Sequence, residues 1–134
     1  MDEVADLVRH CGRGKFDQWP LQKISYRQLF LRHIELDPFS ADIRALSAAA
    51  EKHGISEIEL DRRQWQNLLI SHVIQLALPE KALTFVYDFP TDQAALANIR
   101  QDMPPVAERF ELYLGQTELA NGYQELTNAQ EQKR

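Results

Sequence analysis

Two glutamates seven positions apart, Glu111 and Glu118, flank a glycine-containing turn in the stretch from 107 to 125. Phe110, Leu112 and Leu114 alternate with Arg109, Glu111 and Tyr113, the period-two pattern of a half-buried strand, and Gly115-Gln116 supplies a turn. A second strand is expected over 117–126. As a two-residue hairpin loop, Gly115-Gln116 pairs Tyr113 with Glu118 and Glu111 with Ala120, so that Glu111, Tyr113 and Glu118 share one face. Carboxylates that close repel one another unless a cation or a basic group fills the gap, and hard oxygen ligands of this kind suit magnesium. The ordinary alternative is two solvated glutamates on an open sheet face.

The same register puts Asn121, Tyr123 and Glu125 on the face opposite Glu118. For all four to serve one pocket, the chain must shift phase between Glu118 and Asn121. Gly122 is the residue expected to make a bulge cheap there, because glycine tolerates positive φ. A carboxylate, an amide and an aromatic ring together suit a zwitterion with an amine-tipped tail, ring against methylenes and carboxylate against ammonium.

With its flanks, ERFELYLGQTELANGYQEL resembles the lysine-binding hairpin of class II lysyl-tRNA synthetases, and most of all that of their short paralogues that lysylate elongation factor P. The family pattern is a glutamate after Arg-Phe, a second glutamate seven positions on, then Asn-Gly-aromatic-x-Glu-Leu, and all of it is present. The resemblance implies that Glu111 and Glu118 hold magnesium and ATP. It also implies that Asn121 and Tyr123 contact the backbone and side chain of the amino acid, and that Glu125 pairs with the distal ammonium. Tyr123 stands where the family often has Phe, which adds a hydroxyl in need of a partner. Ala120 stands where tRNA synthetases more often carry Gly, which favours the paralogue. Weaker likeness extends over Thr84-Phe85-Val86-Tyr87-Asp88-Phe89-Pro90, over 93–97 and over 26–38.

The elements that must position this hairpin are mostly helical. Val4, Leu7 and Val8 recur at helical spacing behind Asp2, Glu3 and Asp6, and Gly12 ends the run. So one-sided a helix at the start of the chain is expected to find its partner surface elsewhere. Residues 12–20 read as a loop, whose GRGK fragment lacks the second glycine spacing and the Ser or Thr of a phosphate loop. Ile24-Ser25-Tyr26 reads as a short strand, with Ser25 capping a helix through Leu29, Phe30, His33 and Ile34 that Asp37-Pro38 breaks. Ser40 is expected to cap a helix through Ile43, Leu46, Ala49 and Ala50, ended by Gly54. Leu60 or Asp61 begins another, with Trp65, Leu68, Leu69, His72, Val73 and Leu76 on one side. Leu83 to Phe89 is β-rich and Pro90 ends it. Thr91 is expected to cap a brief helix over 92–99, followed by a polar loop over 100–105, and a further helix is expected to start at Thr127 or Asn128.

The chain has 134 residues, 44% of them hydrophobic, enough for one domain with a modest core. Its net charge of −5, from 15 basic and 20 acidic residues, gives no global electrostatic case for nucleic-acid binding. Cys11 is the only cysteine, so no internal disulfide forms, which fits a reducing cytoplasm; it is expected to be packed in its helix. No apolar run approaches the roughly 18 residues of a membrane span, and the N-terminus lacks the basic start of a signal peptide, so a soluble cytoplasmic protein with no membrane partner is expected. The four histidines have no partners at ligand spacing, and no metal is assigned to them.

The expected fold is α+β, a single domain over 1–134 that is helical to about 79 and strand-rich from about 80, with three strands of a short antiparallel sheet flanked by helices. The resemblance makes it the central part of a class II synthetase catalytic core. In that reading the chain belongs to a homodimeric, ATP- and magnesium-dependent ligase that activates lysine or β-lysine as an adenylate and transfers it to elongation factor P, with tRNA as the alternative acceptor. The family's ATP-gripping arginine motifs match no stretch of this chain, so it is assigned no catalytic side chain and is expected to be inactive or nearly so alone. A non-catalytic paralogue that keeps the lysine pocket is the reading from a different class. Few strands leave open edges, which are expected to drive dimerisation or strand exchange.

Overall fold

A computed structural model describes residues 2–55, 59–94 and 96–123. Its centre is a five-stranded sheet in the order β1-β2-β4-β3, formed by β1 (Leu21–Ser25), β2 (Leu83–Phe89), β3 (Ile99–Arg100) and β4 (Val106–Leu114), with β5 (Thr117–Tyr123) also paired to β4. Strand β4 runs antiparallel to β2, β3 and β5. β1 runs parallel to β2, with Leu21 opposite Leu83 and Ser25 opposite Tyr87. The expected antiparallel sheet of three strands is therefore a mixed sheet. The reason is the connection: a parallel neighbour needs a long crossover, and the helical stretch between Ser25 and Leu83 is one.

That crossover holds α2 (Tyr26–His33), α3 (Ile43–Lys52) and α4 (Arg62–Leu69). Ser25 caps α2, its hydroxyl accepting from the Gln28 amide at 3.1 Å. The cap of α3 is Asp42, accepting from Ala45 N at 2.8 Å, and not Ser40; a carboxylate directly before Ile43 outcompetes a hydroxyl two residues further out. Gly54 leaves α3 at φ +82°. Asp61 and Gln64 form a reciprocal capping box at the start of α4.

Beyond Leu69 the helix widens into a π turn over Ile70–Ile74 and closes with one α turn, Gln75–Ala77. The extra residue in that turn rotates everything after it. Trp65, Gln66 and Leu69 are buried as the helical period requires, but the next buried residue is Ile74, whereas His72 is exposed and Leu76 is 64% exposed. The expected face holds through Leu69 and at Val73, which packs half-buried against the core, and fails at His72 and Leu76.

Helices α2 to α4 cover one face of the sheet. Tyr26, Phe30, Leu46, Trp65, Leu69 and Ile74 pack there with Val86, Phe89, Ala107 and Tyr113 of the strands. The other face carries a smaller core of Leu83, Phe85 and Leu112, against which α1 (Asp2–Cys11) places Ala5, Val4 and Val8. The helix's partner surface is thus within the chain. Cys11, expected to be packed, is exposed at the end of α1.

After Pro90 a single 3-10 turn, Thr91–Gln93, replaces the expected helix over 92–99, and Thr91 makes no side-chain cap. Ile99 and Arg100 instead pair with Ala107 and Val106 as β3. Sheet pairing and burial of the Gln93 and Ala97 side chains override the weak local helix signal.

Two local features yield stability predictions. Gly115 has φ +60°, and a Cβ there would lie 2.4 Å from the Glu80 carbonyl oxygen. Gly115→Ala is expected to cost about 2–3 kcal/mol, read as a lower urea midpoint at unchanged slope. Asp61→Ala, which removes one half of the capping box, is expected to cost about 1 kcal/mol in the same measurement.

Candidate functional site

The hairpin β4–β5 turns through Gly115 and Gln116, with Leu114 opposite Thr117 and Tyr113 opposite Glu118, as the sequence indicates. One step further the register shifts. Leu112 pairs with Ala120, and Glu111 pairs with Asn121 rather than with Ala120. Leu119 is the extra residue, half-exposed at 48%. The phase change needed to bring Glu118 and Asn121 to one face is therefore present, but at Leu119 and not at Gly122, which has no positive φ. Gly122 serves a different purpose: it lies opposite Phe110, and a Cβ on it would come within 2.5 Å of that ring.

Cross-strand partners share a face, so Glu111, Tyr113, Glu118 and Asn121 are brought together on the side that carries Arg109. Tyr123 pairs with Arg109 in the register. Glu125, and the helix expected after 126, lie outside the described residues.

Glu111 is the charged centre of this face. Its carboxylate accepts from the Tyr113 hydroxyl at 2.8 Å and from Arg109 Nη2 at 3.2 Å, and the side chains of Glu111 and Arg109 are only 14% and 13% exposed. Burial raises the Glu111 pKa above the ordinary carboxylate value and nearby Glu118 adds to the rise, while the Tyr113 hydrogen bond and Arg109 oppose it. Burial first, then the negative charge and acceptance of Glu111, also raise the Tyr113 pKa well beyond the ordinary phenol value, so its hydroxyl stays protonated as a donor. Arg109 is itself held from three sides: Nη1 donates to the Gln93 carbonyl at 2.8 Å, Nη2 to Glu111, and the guanidinium stands 4.5 Å from the Phe89 ring centroid.

A pocket of about 190 Å³ opens over this face. Its sheet side is Phe89, Glu111, Tyr113 and Glu118, and its helical side is Asn67, Ile70, Ser71 and Gln75, with Gln93 between them. The hairpin tip is tied to the same helix. Gln75 Nε2 donates to the Gln116 carbonyl at 2.7 Å, and Gln116 Nε2 donates to the carbonyls of Leu76 and Leu78 at 2.9 and 3.1 Å. A larger cleft of about 510 Å³ between α2 and α3, lined in part by Arg32, His33, Lys52 and His53, shares no residue with this pocket.

Among the described residues no group of three or more His, Cys, Asp or Glu side chains is placed to hold a metal. The two carboxylates on the pocket wall nevertheless fit magnesium, which commonly takes one or two protein carboxylates and completes its shell with water and phosphate oxygens. Tyr113 and Arg109 each occupy one lone pair of Glu111, leaving others free. Among the described residues no helix is long and apolar enough to cross a membrane.

Sequence reasoning singled out Glu111, Glu118 and Asn121, and the structure brings these three together. It gave no role to Arg109, noted as an alternating polar position and as part of the Arg-Phe pattern, to Gln93 after β2, or to Gln66, Asn67 and Gln75 of the helical crossover, which was read as structural support. Arg109 carried a usable signal, a cation two residues before Glu111 on the same strand face. The glutamines carried none, since their contacts join residues 16 to 41 positions apart.

The chain matches the family described as tRNA synthetases class II (D, K and N) over residues 2–134. It is 43% identical over 136 aligned residues to proteins named elongation factor P--(R)-beta-lysine ligase from Salmonella typhi and Salmonella arizonae, the alignments covering 99% of this chain and 41% of each relative. The chain thus spans about two fifths of the length of these curated relatives. With a family match across almost its whole length, the chain belongs to the class II tRNA synthetases of the D, K and N group.

Proposed function

We propose that this chain supplies the amino-acid and metal side of the active site in an ATP-dependent ligase that activates lysine or β-lysine as an adenylate and transfers it to elongation factor P. The observation that carries the reading is the shared face of Glu111, Tyr113, Glu118 and Asn121, set by the Leu119 bulge. The names of the relatives, which match along 99% of this chain, support β-lysine and elongation factor P as the substrates.

In this reading Glu111 and Glu118 hold magnesium against ATP. The bound ion would offset charge on the triphosphate while the amino-acid carboxylate meets the α-phosphate. Arg109 and Tyr113 fix the Glu111 carboxylate, so its free lone pairs are presented to the pocket without reorganisation. Asn121, on the face of Glu118, is assigned to the amino-acid backbone, and the resemblance to the lysyl-tRNA synthetases assigns Tyr123 to the methylenes and Glu125 to the distal ammonium. The wall from Asn67 to Gln75 closes the pocket on the helical side and restricts water there.

The test is amino-acid-dependent exchange of pyrophosphate into ATP, measured on the chain together with whatever flanking segments its gene encodes, followed by transfer to elongation factor P or to tRNA. Exchange driven by β-lysine or lysine with transfer to the protein acceptor is expected. Transfer to tRNA alone would make it a tRNA synthetase, and exchange driven by no amino acid would remove the ligase reading. Glu118→Gln is expected to lower exchange about a hundredfold. Glu125→Gln is expected to abolish preference for an amine-tipped substrate, so unchanged lysine activation would remove Glu125 from the site.

Glu111→Gln separates activity from stability. The folded-state pKa of Glu111 is raised by burial, so its contribution is most favourable below the ordinary carboxylate value and declines as pH rises through the raised value. At neutral pH the buried charge is therefore a cost, and Glu111→Gln is expected to lose exchange while melting at a temperature equal to or above that of the wild type at pH 7. A clear loss of thermal stability would show that the ion pair with Arg109 outweighs the burial.

A further inference from the structure

The crossover helices and the candidate site are joined by one buried chain of hydrogen bonds. It starts in the loop between α2 and α3, where the Pro38 carbonyl accepts from Arg62 Nη2 and, at 2.8 Å, from Gln66 Nε2. Gln66 Oε1 accepts from Gln93 Nε2 at 2.9 Å, and the same amide lies 3.3 Å from the Tyr26 hydroxyl. The backbone carbonyl of Gln93 accepts from Arg109 Nη1, and Arg109 Nη2 donates to Glu111. Gln66 is fully buried and Gln93 is 4% exposed.

Buried primary amides are expensive unless each group is satisfied, and the core around them is otherwise apolar. Two such amides bonded to each other, one on α4 and one on a turn that precedes the site strand, fix the height of the Gln93 carbonyl with side-chain geometry. That carbonyl is one of the two hydrogen-bonding anchors of Arg109. Leucine or methionine could fill the same volume without the polar requirement, so packing alone does not explain the pair.

From this chain we infer that Gln66 and Gln93 are positioning residues for the Arg109–Glu111 ion pair, so that the helical crossover sets the affinity of the site for magnesium–ATP and not its choice of amino acid. The inference rests on the proposed role of Glu111 in holding magnesium and ATP. Gln66 does not line the pocket, and Gln93, which does, bonds Arg109 through its backbone carbonyl. They act by holding the Gln93 carbonyl where Arg109 must meet it, and through Arg109 they hold the Glu111 carboxylate in the orientation from which its unoccupied lone pairs face the pocket.

The experiment is a double-mutant cycle of Gln66→Leu and Arg109→Lys, with equilibrium binding of magnesium–ATP measured by calorimetry and exchange kinetics measured for lysine or β-lysine. Gln66→Leu is expected to weaken magnesium–ATP binding about tenfold while leaving the KM for the amino acid within about twofold. In the Arg109→Lys background the same substitution is expected to have little further effect, because its route to Glu111 is already cut. Should Gln66→Leu fail to fold, Gln66→Met, closer to glutamine in length, completes the cycle. Additive losses, or equal losses for nucleotide and amino acid, would overturn the inference by reducing Gln66 to a packing role. A wild-type protein that binds magnesium–ATP but activates neither form of lysine would overturn the lysine assignment alone, with the cycle still read from nucleotide binding.

Discussion

Everything at the candidate site depends on one extra residue in a β-ladder. Without Leu119 the two-residue turn at Gly115-Gln116 would keep a plain register, and Asn121 would face away from Glu118. With it, Glu111 faces Asn121 one step below the Tyr113–Glu118 pair, so two carboxylates, a phenol and an amide meet on one face. The turn is not free to move. Gly115 is pressed against the Glu80 backbone and Gln116 is tied to the carbonyls that end the helical crossover. Bulges raise local twist and re-aim side chains, and this one turns an ordinary hairpin into a pocket wall.

The second constraint is electrostatic. Glu111 is a buried carboxylate whose burial outweighs the help of Arg109 and Tyr113. Charge held against its solvation preference is a common mark of a site kept for chemistry, since a structural role would be served at lower cost by an amide. The protein contains it by surrounding it with fixed groups: a phenol that cannot ionise at neutral pH, and an arginine stacked on Phe89 and pinned to a backbone carbonyl. Rigid support of this kind is what lets a carboxylate meet a cation without rearranging.

Much of this was legible in the sequence, and the limits have physical causes. Helix ends were readable at Ser25, Asp61 and Gly54, where caps and glycines act locally, but not at Ser40 and Thr91, which cap nothing. Strand β2 was readable from its β-rich composition and β4 from its period-two alternation, and Glu111, Glu118 and Asn121 from the spacing that carries the family likeness. The need for a phase shift was also readable, because two sets of chemistry-bearing residues fell on opposite faces. Its location was not: Gly122 has the conformational freedom for a bulge, but its place is dictated by the Phe110 ring opposite it. The π turn after Leu69 left no composition signal either. It exchanged Leu76 for Ile74 in the core, and periodicity cannot register an insertion of one residue. The parallel β1 strand and the Gln66–Gln93 pair are long-range facts that a local pattern does not encode.

In the proposed ligase the reacting groups sit on the bulged face of the β4–β5 hairpin. The most direct measurement is a crystal structure of the protein with a non-hydrolysable lysyl-adenylate analogue and magnesium. Metal and phosphate oxygens are expected at Glu111 and Glu118 and the amino-acid backbone at Asn121. An analogue seated elsewhere, such as the cleft between α2 and α3, or one bound with Glu111 still turned wholly inward to Arg109 and Tyr113, would contradict it.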